Sequence, residues 1–494
     1  MKKQIANILD EEMPKTLNTY LGNKGYTITK SDLTVKQQYF IREQLTVKPF
    51  TQGATLVHTF PAYRESDNKL YVPRYFGEEY FGPPKQIKIS EGLPIHCEFQ
   101  GQLRDYQEKV VNSYLQSAHQ LGGGLIEIGC GKGKTVCALN VISHLQKKTI
   151  IIVHKEFLMN QWIERIQQYL PKARIGKIQG PTMDVDDKDI VLAMLQSLSM
   201  KDYPSSIFDS FGLTIIDEVH HISSETFSNA LFKLVTKYMM GLSATMNRKD
   251  GTTKIFKMFL GHVVYKDTDK GDFEVVVRGI HYSTEDEDFN KVVYDFRGNI
   301  QFSTLISKLC SYNHRSEFIL KVIKDMIAEN SQQQIMILAH NKNLLKYLYD
   351  AISHREIGTV GYYIGGMKEK ALKESEKKQI IIATYAMAAE ALDIKTLTTL
   401  IMATPKTDIE QAVGRILREK HSQPVIVDII DQHDPFQKQW IKRQKFYKAQ
   451  NYKIIECSNT IYQPDTSKWK SKFTPHSKTK ELPIGKCFLP IKQT

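Results

Sequence analysis

Short aliphatic runs alternate with amphipathic segments of helix length from about residue 100 onwards, and this alternation constrains the fold more than any other feature. The runs are almost wholly apolar, as is typical of strands buried on both faces of a parallel sheet. The first series of runs reads GGLIEIG, KTIIIVH, KDIVLAML, FGLTIID and YMMGLSA. Alternation of this kind predicts an α/β fold in which helices cover a parallel sheet.

The alternation fades over about 266–312 and then resumes in a second series. The runs of the second series are QIMILAH, TVGYYIGG, KQIIIATY, TLIMATP and QPVIVDIID. Two α/β domains in series are therefore expected, which suits a chain of 494 residues. The first 95 residues carry no motif to which chemistry can be attached. The predicted domain bounds are 1–95, 96–270 and 271–450, followed by a basic tail over 451–494.

Positive charge is concentrated near the end of the chain. The net charge is +13, and residues 436–494 hold 13 Lys and Arg against three acids, which accounts for +10 of it. A strongly basic chain favours a polyanionic partner. The aromatic residues among these lysines are Trp440, Phe446, Tyr447, Tyr452, Trp469 and Phe473. We expect this segment to tether nucleic acid, with its lysines on phosphates and its aromatics stacked on exposed bases. The alternatives are a solvated end, or a helix that packs its aromatics on the second domain.

The cysteines and the N-terminus favour a soluble intracellular protein. The six cysteines form no CxxC pair, which favours a reducing compartment. The opening MKKQIANILDEEMPK contains three acids and lacks the apolar core of a signal peptide. No apolar run approaches the ~20 residues that span a bilayer.

A glycine-rich stretch, LIEIGCGKGKT, follows the first aliphatic run and precedes a helix expected to open at about Lys134. Gly131 and Gly133 would let backbone N–H groups turn around a phosphate, and a helix N-terminus adds partial positive charge. Lys134 would reach the β- and γ-phosphates, and the Thr135 hydroxyl would ligate Mg²⁺. The strict phosphate-loop pattern has glycine where this chain has Ile128. The alternative is an ordinary strand–helix turn with an incidental GKT.

The stretch DEVHH (217–221) closes the aliphatic run LTII. Asp217 at the end of that strand could hold Mg²⁺, and Glu218 could orient and deprotonate an attacking water. A zinc cluster is a weaker alternative, because it would need HExxH-like spacing or cysteines. The remaining alternative is a polar strand end without chemistry.

The order of these motifs resembles superfamily 2 helicases and translocases of the DExH type. The segments that carry the resemblance are LRDYQ (103–107), GCGKGKT (129–135), DEVHH (217–221), SAT (243–245), ATYAMAAEALDIK (383–395) and QAVGRILR (411–418). The doubled histidine, LRDYQ, HKxxLxxQW (154–162) and RKDG (248–251) are most similar to the XPB/UvsW group and the poxvirus transcript-release helicase. The resemblance implies two tandem RecA-like parallel-sheet domains with an N-terminal accessory domain, and ATP and Mg²⁺ as cofactors.

The resemblance also implies roles for individual residues. ATP contacts are expected from Arg104, Gln107, Gly129, Cys130, Gly131, Lys132, Gly133, Lys134, Thr135 and Asp393. Catalytic roles are expected for Lys134, Glu218, Gln411, Arg415 and Arg418. Mg²⁺ would be held by Thr135 and Asp217, and the ATP state would be coupled to nucleic acid through His220, Ser243, Ala244 and Thr245. Gln107 would read adenine, Arg415 and Arg418 would contact the γ-phosphate, and Ala391 departs from the usual glycine of its motif.

The function implied is an ATP-dependent helicase or translocase that acts on nucleic acid, with DNA favoured over RNA. A role in viral transcription termination, transcript release or repair is expected, with RNA polymerase or a transcription complex as a partner and host cytoplasm or virion as the location. One alternative is an ATPase switch that remodels a polymerase or another nucleoprotein complex without strand separation. Another is an inactive binding module, against which the intact Lys134, Asp217, Glu218 and Arg418 argue.

Overall fold

A computed structural model describes residues 17–49, 59–129, 131–221, 224–246, 251–267, 274–390, 394, 396–414 and 423–475. The side chains of His221, Ser224, Ala389, Glu390 and Gln411 are not among the described parts. The chain divides into two compact units, residues 1–268 and 269–494. Within the described residues, no helix is both long and apolar enough to cross a membrane.

Unit 1 begins with a small layer of strands covered by two helices. Its elements are β1 (Thr19–Gly22), β2 (Gly25–Thr29), α1 (Val35–Leu45), β3 (Thr46–Val47), β4 (Phe60–Pro61), β5 (Arg64–Glu65), β6 (Lys69–Val72), α2 (Arg74–Phe81) and β7 (Gln86–Ile87). Five strands form one sheet in the order β5-β6-β2-β1-β7, and β3 pairs with β4. One face of the sheet is buried under the helices, through Tyr26, Ile28, Leu70, Val72 and Phe76.

The larger part of unit 1 is an eight-stranded sheet with helices between its strands. Its elements are α3 (Asp105–Leu121), β8 (Gly123–Glu127), α4 (Lys134–Leu145), β9 (Thr149–Val153), α5 (Glu156–Tyr169), β10 (Ile175–Gln179), β11 (Thr182–Asp184), β12 (Ile190–Met194), α6 (Leu195–Met200), β13 (Leu213–Ile216), α7 (Ser224–Leu231), β14 (Tyr238–Ser243), α8 (Thr253–Leu260) and β15 (Val263–Lys266). The strand order is β11-β10-β12-β9-β13-β14-β8-β15. Neighbours are parallel except β10 and β11. Each aliphatic run of the first series is a strand, which confirms the predicted α/β fold.

Unit 2 has a second eight-stranded sheet. Its elements are β16 (Val276–Tyr282), α9 (Glu287–Asn290), α10 (Phe302–Ser311), α11 (Asn313–Glu329), β17 (Gln334–Ala339), α12 (Lys342–His354), β18 (Val360–Tyr363), α13 (Glu369–Ser375), β19 (Ile380–Thr384), α14 (Tyr385–Glu390), β20 (Leu397–Met402), α15 (Glu410–Val413), β21 (Val425–Asp431), α16 (Asp434–Ala449), β22 (Lys453–Ser458) and β23 (Lys470–Phe473). The strand order is β18-β19-β17-β20-β21-β16-β22-β23. Only the edge pair β22–β23 is antiparallel among these described strands. Each aliphatic run of the second series is again a strand, and β16, β22 and β23 lie outside those runs.

The sheet of unit 2 continues past residue 450, where the basic tail was predicted to begin. β22 lies parallel to β16 and antiparallel to β23, so the ordered sheet ends at Phe473. Trp440, Tyr447, Tyr452 and Trp469 are buried. The expectation that these four aromatics stack on bases is therefore wrong, because they pack within unit 2. The predicted tether beyond residue 475 lies outside the described residues.

Two buried ion pairs are built on β21. Asp428 receives a bidentate pair of hydrogen bonds from Arg443, at 2.7 Å from Nε and 2.8 Å from Nη2. Asp431 is paired in the same way with Arg315, whose Nη2 lies 2.7 Å from Oδ2. All four side chains are almost completely removed from solvent. Such pairs fix how α11 and α16 dock on the sheet.

Candidate active site

The loop between β8 and α4 has the backbone that a phosphate requires. Gly131 and Gly133 have φ values of 77° and 79°, in the left-handed region that glycine favours. A Cβ on Gly133 would lie 2.3 Å from Nε2 of Gln107, so no other residue fits there without a shift. α4 begins at Lys134, directly after this turn. Glycines followed by a helix N-terminus form a cradle lined by backbone, and the residues present fit a phosphate group.

The N-terminal end of α3 anchors this loop. Gln107 donates from Nε2 to the carbonyl oxygen of Lys132 at 3.2 Å, and the Tyr106 hydroxyl donates to the same oxygen at 2.7 Å. Oε1 of Gln107 accepts from the backbone N–H of Arg104 at 3.0 Å. Both ends of the Gln107 carboxamide therefore engage the protein backbone. Adenine recognition by Gln107 stays a prediction. In the structure, the Gln107 side chain holds the loop in place.

Three neighbouring parallel strands bring the predicted motifs to one edge of the sheet. β14 lies between β13 and β8, with Ile216 opposite Gly241 and Ser243 opposite Glu127. The carboxyl ends of parallel strands lie at the same edge, so the loops that follow these strands meet there. The phosphate loop, DEVHH and SAT, which are separated along the chain, converge at this edge.

A continuous series of polar contacts runs through these loops. Nζ of Lys134 lies 3.3 Å from Oε1 of Glu218, and Oε2 of Glu218 lies 3.4 Å from Nδ1 of His220. The same Nδ1 is 2.7 Å from Oγ of Ser243. The backbone N–H of Thr245 donates to that oxygen at 3.2 Å, and the Ser243 hydroxyl donates to the Thr245 carbonyl. These contacts link the lysine of the phosphate loop to the SAT segment; we name the series Lys134–Glu218–His220–Ser243–Thr245 the polar relay.

Asp217 is buried, with 7% of its surface exposed. Its Oδ2 accepts from Nε1 of Trp162 at 2.9 Å, and its Oδ1 accepts from the backbone N–H of Glu218 at 2.9 Å. Burial, and then the neighbouring Glu218 carboxylate, raise the pKa of Asp217 to about 6. A divalent cation would offset both effects, and the oxygen donors Asp217 and Thr135 suit Mg²⁺. The residues present therefore fit this metal.

The described part of DEVHH contains no zinc cluster. Among the described residues, no group of three or more His, Cys, Asp and Glu side chains is arranged to hold a metal ion. His220 instead contacts Glu218 and Ser243. The His221 side chain lies outside the described parts of the chain.

Glu218 has an unusual backbone conformation. Its φ is 48°, in the left-handed region that a residue with a Cβ rarely adopts. Strain of this kind costs on the order of 1–3 kcal/mol and clusters at functional sites. The turn at Glu218 carries the chain directly from the strand end into the short helix that holds His220. The strained backbone at Glu218 therefore occurs where the chain places the Glu218 and His220 side chains in the polar relay.

Three residues of the site were missed by the sequence interpretation. Trp162 hydrogen-bonds Asp217, Tyr106 holds the phosphate loop, and Asp267 pairs with Lys132 at 2.6 Å between Oδ2 and Nζ. Trp162 and Tyr106 lie within stretches that carried the resemblance, so the signal was available. No sequence motif marks Asp267, because it lies near the loop only through the position of β15 in the sheet.

The remaining predicted residues have less structural definition. Arg104 is exposed at the start of α3, Gly129 lies before the loop and Ala244 is half-buried between Ser243 and Thr245. The following lie outside the described residues: Cys130, Asp393, Arg415, Arg418 and the Gln411 side chain. Their assigned roles stay predictions.

The chain has relatives among known proteins. Residues 100–248 match the family described as type III restriction enzyme, res subunit. A protein of Acanthamoeba polyphaga mimivirus, named as an ATP-dependent RNA helicase, is 35% identical over 460 residues, covering 90% of this chain and 87% of its own length. The DNA 3'-5' translocase XPB2 of Sulfurisphaera tokodaii is 27% identical over 403 residues, covering 73% and 88% of the two chains.

A solved structure shares the fold. A fragment of a protein named as an HsdR subunit of a type I restriction enzyme from Vibrio vulnificus superposes with a TM-score of 0.52 at 16% identity. The match covers 74% of this chain and 70% of the fragment. At this level of identity, the likeness concerns the tandem α/β architecture alone.

Proposed function

Because the chain belongs to superfamily 2 of the helicases and translocases, a family of ATP-hydrolysing enzymes that act on nucleic acid, we propose that it is a translocase that moves along duplex DNA. The polar relay that begins at Lys134 is the observation that carries the proposal, because it joins the nucleotide side of the site to the SAT segment. The choice of DNA is supported by the similarity to the DNA translocase XPB2 of Sulfurisphaera tokodaii over 73% of the chain. The name of the mimivirus relative favours RNA, so the substrate needs a direct test.

The residues of unit 1 divide the work of hydrolysis between them. When bound, ATP with Mg²⁺ supplies the transferable γ-phosphoryl group and the divalent charge. The loop backbone and Lys134 would bind the phosphates, while Thr135 and Asp217 would hold the metal. Glu218 orients the attacking water and accepts its proton. Trp162 keeps the Asp217 carboxylate in one orientation through its 2.9 Å hydrogen bond.

Through the polar relay, nucleotide binding at Lys134 can affect the SAT segment. Lys134 contacts Glu218, and Glu218 shares His220 with Ser243. A change in the Lys134–Glu218 contact therefore alters the surroundings of His220 and, through it, the SAT turn. In this proposal the turn passes the state of the nucleotide to the nucleic-acid side of the enzyme.

The proposed biological role is in transcription termination, transcript release or repair, together with an RNA polymerase. Its support is the resemblance of LRDYQ and DEVHH to the XPB/UvsW group and the poxvirus enzyme, and the large-virus source of the mimivirus relative. This role depends on the choice of DNA as the substrate and is rejected if that choice is wrong.

The decisive experiment measures ATP hydrolysis with single-stranded DNA, duplex DNA and RNA of matched length side by side. Duplex DNA should stimulate hydrolysis most, and the protein should displace a triplex-forming strand from a blunt duplex. Glu218→Gln serves as the inactive control. Stimulation by RNA alone would overturn the choice of DNA. Stimulated hydrolysis without displacement of any strand would favour an ATPase switch that remodels a nucleoprotein complex.

A further inference from the structure

We propose that the outer face of the N-terminal five-stranded sheet binds a single strand of nucleic acid. We name this surface the tyrosine face and define it by Tyr20, Tyr71, Lys24, Lys69 and Lys88. The inference rests on the proposed function in one respect: an enzyme that moves along DNA meets a single strand wherever the duplex is open.

The strands of this sheet direct alternate side chains to opposite faces. Ile28 and Leu70 point into the core under α1 and α2, so their neighbours in the strands point outward. Tyr20 on β1 lies opposite Thr27 on β2, and Thr27 lies opposite Tyr71 on β6. The two tyrosines thus share one row, two strand spacings or about 10 Å apart. Thr27 between them is only 1% exposed, which leaves the tyrosines as the surface of this row.

Three lysines surround the two rings. Nζ of Lys88 lies 4.3 Å from the centroid of the Tyr20 ring, and Nζ of Lys69 lies 5.2 Å from it and donates to its hydroxyl at 3.2 Å. Nζ of Lys24 lies 5.2 Å from the Tyr71 ring centroid. None of these lysines forms an ion pair with a described carboxylate. Three positive charges therefore remain uncompensated beside two half-exposed aromatic rings.

This combination matches the chemistry of an unpaired strand. Aromatic side chains on a sheet stack with bases, and lysines neutralise the neighbouring phosphates. A phosphate attracts an ammonium group more strongly than a ring does, so the flexible lysine stems can exchange one partner for the other. The bases of a duplex are stacked on each other and do not offer their faces to a side chain. The tyrosine face therefore suits single strands and not duplexes.

The test measures fluorescence anisotropy of the full-length protein with labelled oligo-dT and oligo-U of ~12 nucleotides, within the range that one such domain covers, and with a blunt duplex. The double variant Tyr20→Ala/Tyr71→Ala should bind single strands about tenfold more weakly for each ring removed. The matched control Tyr20→Phe/Tyr71→Phe keeps the rings and should bind as the wild type does. The comparison of dT with U distinguishes a DNA strand from an RNA strand.

A second set of variants tests the charges. Lys24→Gln/Lys69→Gln/Lys88→Gln should reduce the slope of log affinity against log salt by about 2, at about 0.7 for each phosphate contact on a single strand. The control Lys109→Gln/Lys172→Gln/Lys201→Gln removes the same charge from exposed lysines elsewhere in unit 1 and should leave the slope almost unchanged. Lys24 and Lys88 are exposed, so this set stays informative if the alanine pair fails to fold.

ATP hydrolysis without nucleic acid, measured in parallel, separates the two proposals. The variants of the tyrosine face should keep this basal rate. A wild type that hydrolyses no ATP would overturn the proposed function. The single-strand affinities of the variants and the wild type would still test the tyrosine face. Unchanged single-strand affinity in the alanine pair, or an equal loss in the phenylalanine pair, would overturn the stacking surface. If the lysine set lost duplex and single-strand affinity equally, the lysines would attract phosphate in general, and the preference of the tyrosine face for single strands would be overturned.

Discussion

At the scale of single residues, Asp217 and Glu218 are neighbours in sequence with different surroundings. Asp217 is 7% exposed and accepts hydrogen bonds from Trp162 and from the backbone. Glu218 is more accessible and lies between Lys134 and His220. A fixed, buried carboxylate suits a metal ligand, whereas a carboxylate beside a basic residue and an imidazole suits proton transfer. The structure thus gives a physical basis for assigning different roles to the pair.

The variant Glu218→Gln should bind ATP but hydrolyse it about 10²–10⁴-fold more slowly, the usual contribution of a general base. The amide keeps the shape of the side chain and leaves Asp217 in place, so nucleotide affinity should persist. Single-turnover hydrolysis and binding of a fluorescent ATP analogue check the two halves of the prediction. Hydrolysis at the wild-type rate would contradict the role of Glu218.

The variant Trp162→Phe should raise the Mg²⁺ concentration required for half-maximal hydrolysis. It removes a hydrogen bond to a charged group, typically about 1.5–3 kcal/mol, and leaves the buried Asp217 carboxylate less well held. A Mg²⁺ titration of ATP hydrolysis checks this, with Trp440→Phe, a buried tryptophan of unit 2, as the control. A purely structural role would lower the thermal midpoint without moving the Mg²⁺ requirement.

At the scale of helices and strands, the sequence predicts those elements that a local hydrophobic pattern determines. The β-branched runs such as TIIIV become buried strands because only a sheet covered on both faces removes them from water. Lys134, Glu218 and His220 could be predicted as site candidates because each lies in the segment that follows such a strand. Asp267 could not, since strand order alone brings β15 beside β8. The lysines of α16 favoured a tether over the alternative of a packed helix, yet Phe436, Trp440 and Tyr447 form the buried side of this helix.

A chain ending at residue 475 should unfold at the same temperature as the full-length protein, whereas one ending at residue 455 should be strongly destabilised. The shorter chain loses Cys457, Tyr462 and Trp469 from the core of unit 2 and cuts through β22. Removal of large buried side chains typically costs about 3–5 kcal/mol each. Thermal unfolding by circular dichroism compares the two; equal stability would mean that β22 and β23 contribute little.

The longer truncated chain also tests the predicted tether. Residues 476–494 carry four lysines and one glutamate. If these lysines bind phosphates, the chain ending at 475 should bind duplex DNA more weakly and with a shallower salt dependence, by about 0.9 in slope for each phosphate that is no longer neutralised. Affinity measured over a range of salt concentrations decides this. An unchanged slope would exclude the segment from phosphate binding.

The variant Asp428→Asn should destabilise unit 2 by about 3–5 kcal/mol, because it leaves the Arg443 guanidinium buried without its counter-charge. Arg443 is 1% exposed and Tyr447 also donates to Asp428. Chemical denaturation checks the prediction. Glu317→Gln, which removes one partner of the exposed pair with Arg355, should cost no more than about 1 kcal/mol.

At the scale of the whole molecule, the two units carry different parts of the expected chemistry. Unit 1 holds the described residues that are expected to bind the phosphates, the metal and the attacking water. The resemblance assigns the arginines that contact the γ-phosphate, Arg415 and Arg418, to unit 2. If both assignments hold, neither unit hydrolyses ATP by itself.

The variant Arg418→Ala should therefore lower hydrolysis by about 10³–10⁵-fold, as typically follows the loss of an arginine that stabilises the transition state. Nucleic-acid affinity should change little, because the expected partner of Arg418 is the γ-phosphate. Steady-state hydrolysis and DNA binding, measured on the same preparation, check both statements. Arg297→Ala, which changes an exposed arginine of unit 2, is the control. Normal hydrolysis in the Arg418 variant would mean that unit 1 suffices.

The ion pair between Lys132 and Asp267 fastens the phosphate loop to the end of β15, at 2.6 Å. Asp267 is also held by its backbone N–H, which donates to the carbonyl oxygen of Glu127 at the end of β8. It is the last described residue before the chain passes from unit 1 into unit 2 at residue 269. A phosphate that draws the Lys132 ammonium away would thus break this ion pair at the last described residue of unit 1. Binding of a phosphate in the predicted phosphate loop would therefore change the contacts of the segment that leads into unit 2.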